Sequence, residues 1–320
     1  MRRIISFIIL VSLAAVLAAS PVGAAAETQT SGDWEYSVSY EGEARIMRYT
    51  GGETDVVIPA VLGEYPVTAL WYWRTEDEYF RGIFFDTPVE NVTIPESVTL
   101  IAGDAFWGCS SIKSVTIPGS VKTIMEYAFF ECTSLTGITI PEGVTSIGMN
   151  AFNSCTALES VSLPEGLSDI PFGAFDGCAA LKSIVIPDGV SVIGKYAFDG
   201  CSSLESVTVP DTVSKIDDNA FDNCSALKTV YYAGTENEWN DVEIGDKNRK
   251  LTKAEVIFNY DPAAGPAEDS PSGAKDYGND YQPVLPTFVI IIAVAAGTLV
   301  VAGIVAAAVI VIAVKKKRNK

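Results

Sequence analysis

The chain has 320 residues, with 40 Asp and Glu against 22 Lys and Arg and a formal net charge of −18. Such acidity disfavours nucleic acid and anionic membrane surfaces as partners. There is no histidine anywhere, which excludes Ser-His-Asp and Cys-His nucleophilic systems and His-containing metal sites.

In chain order, Met1-Arg2-Arg3, an apolar run over 4–19 and Ala24-Ala25-Ala26 predict a signal peptide over 1–26. Residues 34–40 and 44–49 alternate around Glu41-Gly42-Glu43 and predict a hairpin. We assign 27–55 as an N-terminal cap, since a stacked array must cover its open core and block strand addition.

A divergent first repeat occupies 56–90. Val56-Val57-Ile58-Pro59 carries a strand-proline signature whose next copy ends at Pro95. The extra residues fall in 60–66 and between Leu70 and Gly82. Gly82-Ile83 then stands in an Ala-Phe column, Asp86 in a Cys column and Val89 in a Leu column. Residues 71–81, with three tryptophan or tyrosine side chains at their start, are expected to bulge as an inserted loop.

Six regular repeats fill 91–228. Pro95, Pro118, Pro141, Pro164, Pro187 and Pro210 recur every 23 residues, as do Phe106, Phe129, Phe152, Phe175, Phe198 and Phe221. Cys109, Cys132, Cys155, Cys178, Cys201 and Cys224 keep the same period. Three columns on one period signal a solenoid, and a period of about 20–29 with Leu, Ile and Val columns signals leucine-rich repeats. Val or Ile alternates around Ser or Thr before each proline, which predicts a short strand. The proline cannot donate to a ladder and ends it. A second extended piece follows, as in 121–124, and Ala-Phe-x-x-Cys is expected to form a helical turn. The fold class is therefore a β-rich solenoid with some helix (α+β), its short parallel strands stacked into ladders.

The pattern I-P-x-x-V-x-x-I-x-x-x-A-F-x-x-C-x-x-L-x-x-V resembles the BspA-type leucine-rich repeat of bacterial surface proteins. Tyr231-Tyr232-Ala233-Gly234-Thr235, with Trp239, resembles the end module that follows such repeats. The resemblance runs from about 56 to 260. It implies an exported, adhesion-type binder of host or neighbour surfaces, with no shared catalytic residues.

Residues 229–260 form the C-terminal cap, with a capping-box spacing at Thr235 and Glu238 and a last strand over 253–258. Proline, glycine, serine and acids over 261–287 predict a flexible stalk. The 27 residues of 288–314 are apolar enough for one transmembrane helix. The basic tail 315–320 places its own end in the cytoplasm. Leu285-Pro286-Thr287-Phe288 lacks the Thr-Gly of a sortase signal, so a permanent span is expected. Between Glu27 and Thr287 lie all 40 acids but only 15 of the 22 cations, leaving −25 outside the membrane.

Six cysteines in an exported protein ordinarily read as disulfides. Here they form one column with parallel side chains, and buried free thiols are favoured over disulfides or a metal. Asp217, Asp218, Asn219, Asp222 and Asn223 read as a solvated turn rather than a calcium site. No catalytic residue, cofactor or metal is assigned.

The outward strand positions Thr93, Thr116, Thr139, Ser162, Val185, Thr208 and Tyr231 form a mild hydroxyl ladder with one anchor, Tyr231. The inserted loop differs, because Trp, Tyr and Arg are enriched in binding hot spots. The candidate contact residues are Trp71, Tyr72, Trp73, Arg74, Tyr79, Phe80 and Tyr231. The competing reading, in which the loop aromatics plug the N-terminal core, is the favoured one. The function expected is a membrane-anchored extracellular recognition or adhesion module for a protein or glycan; the alternative is an envelope spacer with no specific ligand.

Overall fold

Each coil of the chain contributes two short strands, and both stack on the same strands of the next coil. A computed structural model describes residues 28–74 and 80–261, with positions 73, 74 and 80 described by backbone only. The described residues lie within one unit, Met1–Pro266. The expected signal peptide, most of the stalk, the membrane span and the tail lie outside them. No helix among the described residues is long and apolar enough to cross a membrane.

The N-terminal strands are β1 (Gln29–Ser31), β2 (Trp34–Val38), β3 (Ala44–Tyr49), β4 (Asp55–Val57), β5 (Val61–Leu62), β6 (Tyr65–Leu70), β7 (Trp73–Arg74) and β8 (Phe80–Arg81). The repeats supply β9 (Asn91–Thr93), β10 (Leu100–Ile101), β11 (Ser114–Thr116), β12 (Thr123–Ile124), β13 (Gly137–Thr139), β14 (Ser146–Ile147) and β15 (Ser160–Ser162). They continue with β16 (Asp169–Ile170), β17 (Ser183–Val185), β18 (Val192–Ile193), β19 (Ser206–Val209) and β20 (Lys215–Ile216). The end carries β21 (Thr229–Tyr232), α1 (Glu236–Asp241), β22 (Glu243–Ile244) and β23 (Glu255–Ile257).

The first ladder runs parallel through β4-β9-β11, β13-β15 and β17-β19-β21-β23. The second runs through β6-β10-β12-β14 and β16-β18-β20-β22, also parallel. The β2-β3 hairpin is antiparallel, and β3 lies parallel to β6, so the hairpin extends the second ladder at its N-terminal edge. In the three-residue strands from β4 to β17 of the first ladder the central Val or Ile is buried and its neighbours are more exposed, as with Val92, Val115 and Ile138. That alternation follows from the two-residue period of a strand.

Phenylalanine rings fill the core. Phe106, Phe129, Phe152, Phe175, Phe198 and Phe221 are fully buried and lie nearly parallel, with centroids 4.7, 5.1, 5.3, 5.4 and 5.1 Å apart along the column. Beside them stand six buried free cysteines. The thiols of Cys132, Cys155, Cys178, Cys201 and Cys224 donate to the carbonyls of Phe106, Phe129, Phe152, Phe175 and Phe198, at 3.1–3.2 Å. Each thiol therefore ties its coil to the one before. Burial pushes the Cys109 and Cys224 thiols up to about 12, so neither forms a thiolate near neutral pH.

The Ala-Phe-x-x-Cys segments are not the helical turns expected from the sequence. They are successive tight turns: N–H groups of Trp107 and Cys109 donate three residues back, to Asp104 (3.0 Å) and Phe106 (3.1 Å). Two positions per coil take positive φ, one at Asp104, Tyr127, Asn150, Gly173, Tyr196 and Asn219, the other at Gly108, Glu131, Ser154, Gly177, Gly200 and Asn223. A left-handed residue every few positions cannot continue a right-handed helix. The freed N–H groups bond forward to the next coil, as Phe106 does to Ala128 (2.7 Å) and Gly108 to Phe130 (2.8 Å).

The first coil departs by one residue from the register read in the sequence. The Ile83 N–H bonds to the Ala105 carbonyl at 2.7 Å, so its backbone does sit in the Phe column. The ring, however, comes from Phe84, whose centroid is 5.9 Å from that of Phe106. Asp86 has φ 58°, which places it in the left-handed column before cysteine, not in the Cys column. Thr87 takes the cysteine's place, and its hydroxyl donates to the Phe84 carbonyl at 2.8 Å. Gly82 stands where later coils have alanine because a Cβ there would lie 2.5 Å from the Phe106 carbonyl carbon.

Beyond Phe84 the stack is closed by Trp34 and Tyr49 of the hairpin, with centroids 6.1 and 5.6 Å from it. At the far end Tyr232 is buried against Trp239 at 5.0 Å. Helix α1 starts with a capping box between Thr235 and Glu238. Asn248 is buried there: its side chain accepts from the Phe221 N–H and donates to the Asp217 and Gly245 carbonyls, each at 2.9 Å. One side chain thus supplies the hydrogen bonds that another coil would have made.

Candidate binding surface

The inserted loop leaves the second ladder directly after β6. The Trp71 N–H is tied to the Ile46 carbonyl at 2.8 Å, so its backbone is as fixed as the ladder. The Trp71 and Tyr72 rings stack at 5.9 Å with a 17° tilt, and both remain partly exposed. The Arg45 guanidinium stands 5.2 Å from the Trp71 ring centroid. Together Glu43, Arg45, Thr68, Ala69, Trp71, Thr99 and Leu100 line a groove of about 300 Å³. The Thr68 hydroxyl donates to a Glu43 carboxylate oxygen at 3.1 Å, which orients one acceptor on the groove wall.

Trp71 and Tyr72 therefore do not plug the N-terminal core, the reading favoured from the sequence. Trp34, Tyr49 and Phe84 perform that task. Beyond Tyr72, β7 and β8 pair antiparallel with Trp73 opposite Arg81 and Arg74 opposite Phe80. The loop is thus a small hairpin at its base, and Tyr79 lies outside the described residues.

Tyr231 is not part of this surface. It lies on β21 in the first ladder, at the opposite end of the array, and packs its ring on Tyr260 at 4.6 Å. Of the outward strand positions, Thr93, Thr116, Thr139 and Ser162 are exposed, as is Val185 at 52%, whereas Thr208 and Tyr231 are half-buried. The acidic turn is bonded to its surroundings. Asp217 pairs with Lys215 at 3.0 Å, Asp218 accepts from the Asp246 N–H at 2.9 Å, and Asn223 donates to Asp199 at 2.8 Å.

A second cluster was not marked by the sequence reading. On the turn face Trp107, Tyr127 and Phe130 form a triangle with centroids 5.8, 5.0 and 5.7 Å apart, all half-buried. The signal was present: the residue after each column phenylalanine is Trp107 and Phe130 in the first two repeats, then Asn153, Asp176, Asp199 and Asp222. Burial and Asp199 hold the Asp176 carboxyl above the usual range, partly offset by a hydrogen bond from Asn153.

Stacked coils of this length, two parallel ladders and a core of aligned rings define a leucine-rich repeat protein. The sequence profile described as BspA type leucine rich repeat region matches in six copies, over residues 80–188 and 168–241. That is half of the chain, which belongs to this family. A leucine-rich repeat protein of T. pallidum is 26% identical, over 68% of this chain and 86% of that one, with a TM-score of 0.47. A leucine rich cell surface protein from Faecalibacterium prausnitzii A2-165 is 21% identical, over 69% and 98%, with a TM-score of 0.34. The pneumococcal vaccine antigen PcpA is 18% identical, over 73% and 71%, with a TM-score of 0.48. No curated protein matches the chain.

Proposed function

We propose that this protein is a non-catalytic recognition module displayed outside a bacterial cell, anchored by residues 288–314 and binding a protein or glycan ligand. Surface display is supported by family membership and by the export and membrane signals in the sequence. The observation that carries the reading is the Trp71–Tyr72 stack beside Arg45 and Glu43 on a groove wall. Two stacked wide rings, the first held by a ladder hydrogen bond at Trp71, offer contact area at small cost in conformational entropy, and the flanking charges supply direction. Trp73, Arg74, Tyr79 and Phe80 belong to the same inserted loop and are proposed to extend the contact. Tyr231 drops out of this surface.

The test is to probe arrays of glycans and extracellular-matrix proteins with the full-length chain and with Trp71→Ala. Retained melting temperature with loss of the wild-type hits supports the groove. Absence of any hit, with wild-type stability intact, supports the spacer reading instead.

A further inference from the structure

The turn face carries an apolar row on which the proposed function makes no demand. Trp107, Tyr127 and Phe130 form its centre. Met149 and Phe172, one repeat apart in the adjoining column, continue it at 53% and 41% exposure. Phe172 packs edge-on against Tyr196 at 5.5 Å. An apolar strip of this extent, outside the core, marks an interaction surface.

Its border is acidic. Asp104 and Glu126 flank the triangle, and the turn column continues into Asp176 and Asp199. Asp104 Oδ1 is buried with no hydrogen-bond partner. Burial, and then Glu126, raise the Asp104 carboxyl to about 6. Among the described residues none of these four carboxylates is held in an ion pair. The row already accepts cations at its two ends: the Arg81 guanidinium sits 4.5 Å from the Phe85 ring centroid, and the Lys195 ammonium 5.2 Å from that of Tyr196. Like charge argues against a second copy of this chain as the occupant, and against an anionic bilayer.

We propose that this turn face docks a basic, apolar segment of a partner protein, whose aliphatic or aromatic side chains cover Trp107, Tyr127 and Phe130 while its Arg or Lys side chains meet Asp104 and Glu126. Arginine suits both parts of such a surface, since it stacks on rings and pairs with carboxylates. The surface is separate from the Trp71 groove, and neither depends on the other.

The test uses the full-length chain in detergent micelles and three fluorescent probes read by anisotropy. These are a peptide alternating Arg with Leu and Phe, its Glu counterpart, and an Arg-Gly peptide of equal charge. The Arg-Leu-Phe peptide is expected to bind at least tenfold more tightly than the other two. Phe172→Ala, at an exposed position, and Asp104→Asn with Glu126→Gln should each weaken it at least fivefold. Trp107→Ala should weaken it more, and Trp71→Ala should leave it unchanged. Equal binding of the Arg-Gly peptide, or insensitivity to Phe172→Ala and to the charge variants, overturns the proposal. So does concentration-dependent self-association that those variants abolish, or preferential binding of a neutral oligosaccharide at this face.

Discussion

At the N-terminal end of the second ladder the solvent meets Trp71, Tyr72 and Arg45; at the equivalent rung of the sixth repeat it meets Asp217, Lys215 and Glu243. The backbone is the same in both places. Trp71 and Asp217 each donate to the carbonyl of an isoleucine in the preceding strand, at 2.8 Å. The buried columns are nearly the same as well. What differs is the side chain that the ladder holds outward, and on the turn face the contrast recurs between Trp107 and Asp222. A repeat array separates two problems that a globular enzyme must solve together. The inward columns decide whether the coil stacks, and the outward positions are free to vary. Function is then expected where the outward rule breaks, and here the breaks begin in the first three coils.

Several substitutions break or sharpen this contrast. The largest effect belongs to the core. Phe129→Ala and Phe198→Ala each remove a fully buried, doubly stacked ring and should cost about 3–5 kcal/mol by denaturant unfolding. The two costs should be similar, because inside the array the first and last coils are alike. A large difference between them would show that the contrast extends into the core. Asn248→Ala comes next. It strands the Phe221 N–H and two carbonyls in a buried end and should cost about 1–3 kcal/mol.

Glu131→Gly acts in the opposite direction. Glu131 is exposed at φ 58° in a column that elsewhere uses Gly108, Gly177 and Gly200. Relief of the left-handed strain should add about 1 kcal/mol of stability. Asp104 gives a smaller effect with a definite sign. Its folded-state carboxyl titrates at about 6, above the ordinary 3.8, so the folded protein holds this proton more tightly than the unfolded chain. Stability from this group is present at low pH and is lost as pH rises through that window. Melting temperatures of wild type and Asp104→Asn should coincide near pH 4 and diverge in favour of Asn by pH 7.

Much of this was legible in one sequence. The 23-residue period located the strands, the ring column and the thiol column. Buried positions recur because they must match the coil above and the coil below. The capping box at Thr235 was readable because its chemistry is local. The misreadings lie where local pattern was insufficient. The left-handed turn positions hold Tyr127, Glu131 and Tyr196 as well as glycine, so no breaker announced that the helical turn would not form. Ile83 and Phe84 are both apolar, and nothing in the sequence says which one points along the stack. Asn248 closes the last coil from far along the chain, a contact that periodicity does not encode. Trp107 and Phe130 sit beside the core phenylalanines and merged with them in a reading that followed columns only. The plug was assigned to the loop because its tryptophans are large, whereas Trp34 and Tyr49 reach the stack from the hairpin paired with β6.

The separation of scaffold from contact surface is tested most directly by one paired measurement on Trp71→Ala: its melting temperature, and its binding to whichever ligand the wild-type chain captures. Trp71 is partly exposed and outside the ring stack, so unfolding free energy should shift by no more than about 1 kcal/mol while binding falls at least tenfold. A variant that melts well below wild type, or one that keeps its ligand undiminished, would contradict the account.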